Sequence, residues 1–264
     1  MSTWRDPWLR PVTGSRPDSA VRLFCLPYAG GSATVFRAWR SAAADVEVHA
    51  VQLPGRGRRV AEPPLHDARV LARRLAAALE PHLDRPYGIY GHSMGGIVGL
   101  ALAHELARSR PPSGLFVGAS VAPSSVRPVR VWRGTDEELL RWLEWVGGTP
   151  AHLLDRPGLR KLLPVLRADL AVVAGYRGRP GERLAVPVTG FAGASDPFAG
   201  RSAMLGWERE TDAGFTLSEV PGDHFFLAGS GRLVLDSVTA SLLAATRSGN
   251  YPTLVAQTTT VVEP

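Results

Sequence analysis

The sequence predicts an α/β fold, a mostly parallel central sheet with helices on both faces, and three observations carry that reading. Short apolar runs recur along the chain, several of them apolar at nearly every position, as in strands covered on both sides. Helical patterns separate these runs, and such alternation implies parallel strands joined by right-handed crossovers. One long region without a strand then interrupts the alternation, between residues 127 and 182.

The strand candidates, in order, are Val21–Leu26, Val46–Leu53, Tyr87–Tyr90, Leu115–Ala119, Val186–Phe191 and Phe215–Val220. Within His66–Leu83, Leu71, Leu75, Ala78 and Leu79 repeat at helical spacing while Arg69, Arg73 and Arg74 take other positions. The segment after Ser93, with Ile97, Val98, Leu100, Ala101, Leu102 and Leu106, is apolar on most sides and is expected to be a buried helix. In the strandless region, Thr135 and Glu138 make a capping-box signature ahead of Leu139, Leu140, Trp142, Leu143, Trp145 and Val146. That pattern stops at Gly147–Gly148, and a second runs from Leu159 to about Tyr176. We read residues 127–182 as a helical lid inserted between two strands, supplying apolar walls and excluding water. The same residues can also simply pack on the core, and the two roles are compatible.

A chain of 264 residues suits one domain, 1–264, carrying that insertion. The tail 247–264 is rich in Thr, Val and Ser, without a helix signal, and is expected to be loosely held. A hydrophobic fraction of 45% and a charged fraction of 20% are ordinary for a globular protein. The net charge of +6 comes almost wholly from arginine, Lys161 being the only lysine. No run of like charges marks a nucleic-acid arm, so no nucleic-acid partner is expected. Nothing in Met1–Ser19 resembles a signal peptide, and no segment has the length of a membrane span; the expectation is a cytoplasmic protein, a monomer, with no membrane partner. Cys25 is the only cysteine, which excludes an intramolecular disulfide and a thiolate metal cluster; it reads as a small buried hydrophobe.

The chemistry concentrates in Gly91-His92-Ser93-Met94-Gly95, a G-x-S-x-G motif placed between a strand and a buried helix. In that setting a sharp, strained turn lifts the serine hydroxyl to the end of the sheet, as in α/β-hydrolases. A serine hydroxyl is a weak nucleophile, so it needs a base and the base an orienting group. In this fold the chain order is Ser, then Asp or Glu, then His. His224 lies just beyond the last strand in Pro221-Gly222-Asp223-His224-Phe225-Phe226, on a glycine-containing loop. His49 falls within a strand, while His66, His82, His104 and His152 fall on or beside helices. His92 adjoins the serine with its side chain expected to point away. Asp196, at the end of the penultimate strand, is the carboxylate placed to reach His224 from behind. Asp223 is its competitor, better suited to shaping the turn. The oxyanion hole is expected to use the backbone N–H of Met94 and, from the glycine-rich loop Pro27-Tyr28-Ala29-Gly30-Gly31-Ser32, that of Ala29. No G-x-G-x-x-G occurs, which makes a dinucleotide site a poor alternative.

With these motifs in view, the sequence resembles the type II thioesterases, discrete editing enzymes that accompany polyketide synthases and nonribosomal peptide synthetases. The resemblance spans about residues 20–245. It rests on Leu23-Phe24-Cys25-Leu26-Pro27-Tyr28-Ala29-Gly30-Gly31, on Gln52-Leu53-Pro54-Gly55-Arg56 and on Gly91-His92-Ser93-Met94-Gly95-Gly96. It extends to Gly147-Gly148-Thr149-Pro150, Leu166-Arg167-Ala168-Asp169, Asp196-Pro197 and Gly222-Asp223-His224-Phe225-Phe226. It implies Ser93 as nucleophile, Asp196 as acid and His224 as base, with Ala29 and Met94 as oxyanion donors, no metal and no cofactor. It further implies hydrolysis of acyl groups from the phosphopantetheine arm of acyl or peptidyl carrier proteins, which would be the partners. Tyr28 departs from the family's usual His, at a position where the backbone does the work. An acyltransferase or cyclase with the same triad, a small-ester hydrolase and a non-catalytic binding protein are the competing readings. The Trp132, Trp142 and Trp145 cluster hints at an apolar tunnel, although tryptophans on helices more often pack.

Overall fold

The computed structural model describes residues 6–125, 130–147, 157–178 and 181–247. Seven strands form one sheet: β1 (Leu9–Pro11), β2 (Val21–Leu26), β3 (Val46–Val51), β4 (Tyr87–His92), β5 (Gly114–Gly118), β6 (Val188–Gly193) and β7 (Phe215–Val220). Their order across the sheet is β1-β3-β2-β4-β5-β6-β7, and every pair is parallel except β1 with β3. All six expected strands are present, with ends displaced by up to two residues.

The strand absent from the sequence reading is β1. Only three residues long, it pairs Leu9 with Val51 and ends at Pro11 opposite His49. Proline is tolerated on such an edge, and a run this short between two prolines carries no period to detect. Strands β2 to β5 are buried at every position, which is why they read as continuous apolar runs; β7, on the other edge, is largely exposed.

Helices cover both faces of the sheet. Helix α1 (Ala68–Leu79) starts at Asp67, whose Oδ1 accepts the N–H groups of Arg69 and Val70 at 2.8 and 2.9 Å. It packs on α2 (Met94–Leu106), which is buried all round apart from Glu105.

Two further helices lie between β5 and β6. Helix α3 (Asp136–Val146) carries the expected capping box, with Thr135 Oγ1 accepting from Glu138 N–H at 3.2 Å and Glu138 Oε2 accepting from Thr135 N–H at 2.7 Å. It ends at Gly147 in the left-handed conformation (φ 79°); Gly148, Thr149 and Pro150 lie outside the described residues. The expected second helix begins late, as α4 (Leu163–Gly175), after a short turn at Pro157–Arg160. Pro164, in its first turn, suits a helix start and not an interior. The two helices enclose their own apolar cluster of Leu139, Leu163, Leu166 and Leu170, flanked by Trp132 and Trp142. Arg167 of α4 adds hydrogen bonds to the Trp132 and Gly134 carbonyls at 2.8 and 2.7 Å and an ion pair to Asp136 at 2.7 Å. No strand occurs among the described residues between 127 and 182.

A last helix, α5 (Leu227–Arg247), has no counterpart among the predicted elements; its opening Ala228-Gly229-Ser230-Gly231 holds two glycines, which weaken a helical pattern. It packs against β4, where a Cβ on Gly88 would come within 2.8 Å of Leu242, and against Trp39. The tail beyond Arg247 lies outside the described residues. Cys25 is fully buried in β2, and burial pushes its thiol pKa well up, which keeps it unreactive.

Candidate active site

Ser93 occupies the single residue between β4 and α2, with φ 53° and ψ −115°, a conformation that costs a residue with a side chain on the order of 1–3 kcal/mol. The surroundings force it. A Cβ on Gly91 would lie 2.1 Å from the carbonyl oxygen of Gly95, and one on Gly95 would lie 2.2 Å from that of Leu26. Only glycine fits at either end of the motif, and the Ser93 N–H is tied to the Gly118 carbonyl at 2.8 Å.

The turn aims the Ser93 hydroxyl at His224. Ser93 Oγ lies 2.9 Å from His224 Nε2, and His224 Nδ1 lies 2.9 Å from Asp196 Oδ2. The hydroxyl donates to Nε2, and Nδ1–H donates to the carboxylate. The other carboxylate oxygen of Asp196 accepts the N–H groups of Phe198 and Ala199 at 2.8 and 3.0 Å. Burial alone would raise the pKa of Asp196. The hydrogen bond and charge of His224, with those two backbone donors, outweigh it and hold the carboxyl below its ordinary value. Asp223 is exposed and binds the Phe225 N–H at 2.8 Å, so it shapes the turn and leaves His224 to Asp196.

The loop carrying His224 is seated on the loop carrying Asp196. Gly222, at φ 119°, gives its carbonyl to the Ser195 N–H at 3.0 Å, and a Cβ on Gly193 would meet the Asp223 and Gly222 carbonyl oxygens at 2.5 and 2.7 Å. A further support escaped the sequence reading. His92 points away from Ser93 as expected, but into a buried space where its Nε2 lies 2.7 Å from the His224 carbonyl oxygen and its Nδ1 3.1 Å from the Tyr90 hydroxyl. Burial, then the neighbouring His224, lower the His92 pKa to about 3, so the ring is neutral. A carbonyl can only accept, so Nε2 carries the proton and Tyr90 donates to Nδ1. The signal was present in the strand period, since residues 90 and 92 of a strand share a face.

The loop that carries Ala29 runs beside the helix that carries Met94. Gly95 lies against the Leu26 and Pro27 carbonyls, so the loop after β2 crosses directly over the first turn of α2, where Met94 sits. Ala29 is the second residue of a tight turn closed by Gly31 N–H to the Tyr28 carbonyl at 2.9 Å, with Gly30 at φ 75°. The Tyr28 ring packs edge-on against His92 and Phe225, with centroids 5.8 and 5.1 Å away, and so joins the two loops.

A Thioesterase domain family model matches residues 21–242. Thioesterase PikA5 of Streptomyces venezuelae is 35% identical over 261 residues, 97% of this chain and 92% of that protein. Among solved structures, the RedJ thioesterase from the prodiginine biosynthetic pathway of Streptomyces coelicolor superimposes with a TM-score of 0.81 at 35% identity, covering 86% of this chain and 92% of that one. The type II thioesterase BorB from the borrelidin biosynthetic cluster gives a TM-score of 0.81 at 34% identity, covering 89% and 97%. The chain belongs to the thioesterase family.

In this thioesterase the insertion reaches the triad through aromatic rings. Trp145 of α3, 68% exposed, stands edge-on to Phe198 at 4.4 Å, and Phe198 packs against the His224 ring at 5.8 Å. The three tryptophans are therefore not one cluster, since Trp132 and Trp142 pack with the leucines of α3 and α4. A cavity of about 310 Å³ lies between the start of α1 and the end of α4, lined by His66, Arg69, Val172 and Tyr176. No triad residue borders it, so it is separate from the chemistry. Among the described residues no group of three or more His, Cys, Asp or Glu side chains could hold a metal ion, and no helix is long and apolar enough to cross a membrane.

Proposed function

We propose that this thioesterase hydrolyses acyl groups from the phosphopantetheine arm of acyl or peptidyl carrier proteins, clearing stalled or misprimed chains from polyketide or nonribosomal peptide assembly. The observation that carries the reading is the unbroken hydrogen-bonded chain from Ser93 through His224 to Asp196, in a family member whose relatives include type II thioesterases of such pathways.

Ser93 Oγ attacks the thioester carbonyl while His224 Nε2 takes its proton. The tetrahedral intermediate places its oxyanion between the N–H groups of Ala29 and Met94. Amides in the first turn of a helix have no partner within the helix, so the N–H of Met94 at the start of α2 is free to serve. Collapse expels the carrier thiol, which takes the proton from His224, and leaves acyl-Ser93. Water then attacks the ester as His224 removes its proton, and Ser93 leaves with that proton to give the free acid. Asp196, held ionised by its low pKa, fixes the His224 tautomer and stabilises the imidazolium without taking the proton. In this reading α3 and α4 act as a lid, Phe198 and Trp145 walling the acyl site beside His224. The protein works in the cytoplasm.

The test is to incubate the protein with propionyl-carrier protein and with a free propionyl thioester of the same arm, following acyl loss by mass. Preferential hydrolysis of the carrier-bound group is expected. Equal rates on both would make it a small-ester hydrolase, and transfer to an added alcohol or amine in place of release would make it an acyltransferase.

A further inference from the structure

Two sequence motifs have no part in the triad, Gln52-Leu53-Pro54-Gly55-Arg56 after β3 and Leu166-Arg167-Ala168-Asp169 within α4. The structure joins them. Arg56 and Asp169 form a two-pronged ion pair, Nη1 to Oδ2 at 2.6 Å and Nη2 to Oδ1 at 2.7 Å, with side chains 5% and 1% exposed. The pair grips the turn after β2 from both sides. Asp169 Oδ2 also accepts the Gly30 N–H at 2.7 Å, and Arg56 Nη1 also donates to the Gly31 carbonyl at 3.1 Å. Gln52 completes the hold, its Oε1 accepting the Ala33 N–H at 3.3 Å and its Nε2 donating to the Arg56 carbonyl at 3.0 Å.

We infer that the Arg56–Asp169 pair positions the oxyanion loop, fixing the peptide next to Ala29 and making a competent oxyanion hole depend on α4 being docked. This rests on the assignment of Ala29 as an oxyanion donor. The physical grounds are direct. A catalytic N–H must be held to a fraction of an ångström before the charge develops, and a turn whose third residue is glycine at φ 75° has no side chain of its own to stiffen it. A buried carboxylate is a costly way to satisfy one backbone N–H. A two-pronged arginine pair makes it a rigid one, with the geometric specificity that single contacts lack. Arg56 and Asp169 touch no triad residue, so they are positioning residues.

The experiment compares Asp169→Asn, Arg56→Lys and the apolar pair R56M/D169L with wild type, on both carrier-bound thioester and p-nitrophenyl ester. An oxyanion hole serves both substrates. Each variant should lose kcat on the order of 10–100-fold on both, with KM within about twofold, short of the 10²–10³-fold seen when a donor is removed outright. R56M/D169L separates positioning from stability, because apolar replacement of a buried pair commonly restores stability while leaving the Gly30 N–H unheld. It should melt near the wild-type temperature yet stay slow. Recovery of kcat together with stability in that variant would overturn the proposal, as would a loss confined to carrier-bound substrate. A fourth protein carries lactic acid in place of Ala29, which removes that N–H and leaves every side chain unchanged. If it keeps full kcat, the oxyanion assignment fails. If it is slow while the Asp169 and Arg56 variants are not, the assignment stands and the positioning proposal alone fails.

Discussion

The sheet end of the site and the helical insertion above it hold their side chains in different ways. At the sheet end, backbone presses on backbone. Gly91, Gly95 and Gly193 each leave room for a carbonyl where no Cβ fits, and the triad hangs from the ends of β4, β6 and β7. In the insertion, side chains do the holding, through four buried leucines, Arg167 of α4 bonded to the start of α3, and the Arg56–Asp169 pair. Crowded backbone admits one geometry and few residue types, so the sheet end is suited to chemistry that must not vary. Side-chain packing can be exchanged leucine for methionine or phenylalanine at modest cost, so the insertion tolerates substitutions that the sheet end does not.

The sharpest way to break this comparison is Gly95→Ala. Its one added carbon would sit 2.2 Å from the backbone oxygen of Leu26, so activity should fall by several orders of magnitude, read as turnover per folded molecule. A milder test is His92→Phe, which keeps a ring but removes the donor to the His224 carbonyl. Leaving that buried carbonyl unpaired costs about 1–3 kcal/mol. Because the carbonyl belongs to the base itself, kcat should drop about tenfold or more while KM stays put; a proportional rise in KM would instead mark a general loosening of the fold.

These expectations show how unevenly the site was legible. Ser93, Asp196 and His224 could be found because the nucleophile motif fixes one point and the chain order of the triad fixes the others, each at a strand end that hydrophobic runs reveal. His92 was seen as pointing away, but what lay behind it depends on how the loop after β7 folds back, which no local pattern encodes. Arg56 and Asp169 stood in motifs without an assigned role, because they are 113 residues apart and meet only when α4 packs on the turn after β2. Helix α5 was missed for a local reason, the glycines at 229 and 231. The missed strand β1 owes its existence to the edge of β3, not to its own sequence.

The insertion side offers a stability test. Leu166→Ala removes a fully packed side chain from the small cluster and should cost about 2–5 kcal/mol of local stability. Hydrogen exchange should show the loss confined to α3, α4 and the Gly30 turn, with β4 and α2 unchanged. Spread of that loss into the sheet would mean the two regions are one cooperative unit. The smallest effect expected is in acid. The Asp196 pKa is lowered by folding, so its contribution to stability is complete above the ordinary carboxylate value, about 3.9, and is lost as pH falls from there through the lower folded-state value. Asp196→Asn should therefore flatten the fall of Tm between about pH 5 and pH 3, and an unchanged slope there would count against a folded-state partner for the carboxylate.

The measurement that meets the central claim most directly is a rapid-quench digest of the protein mixed with propionyl-carrier protein, with the acyl group located by mass. The account predicts a propionyl ester on Ser93 that forms as carrier thiol is released, and Ser93→Ala that neither acquires the ester nor deacylates the carrier, a loss on the order of 10⁴-fold or more. Deacylation that survives Ser93→Ala, or an acyl group carried on any other residue, would contradict it.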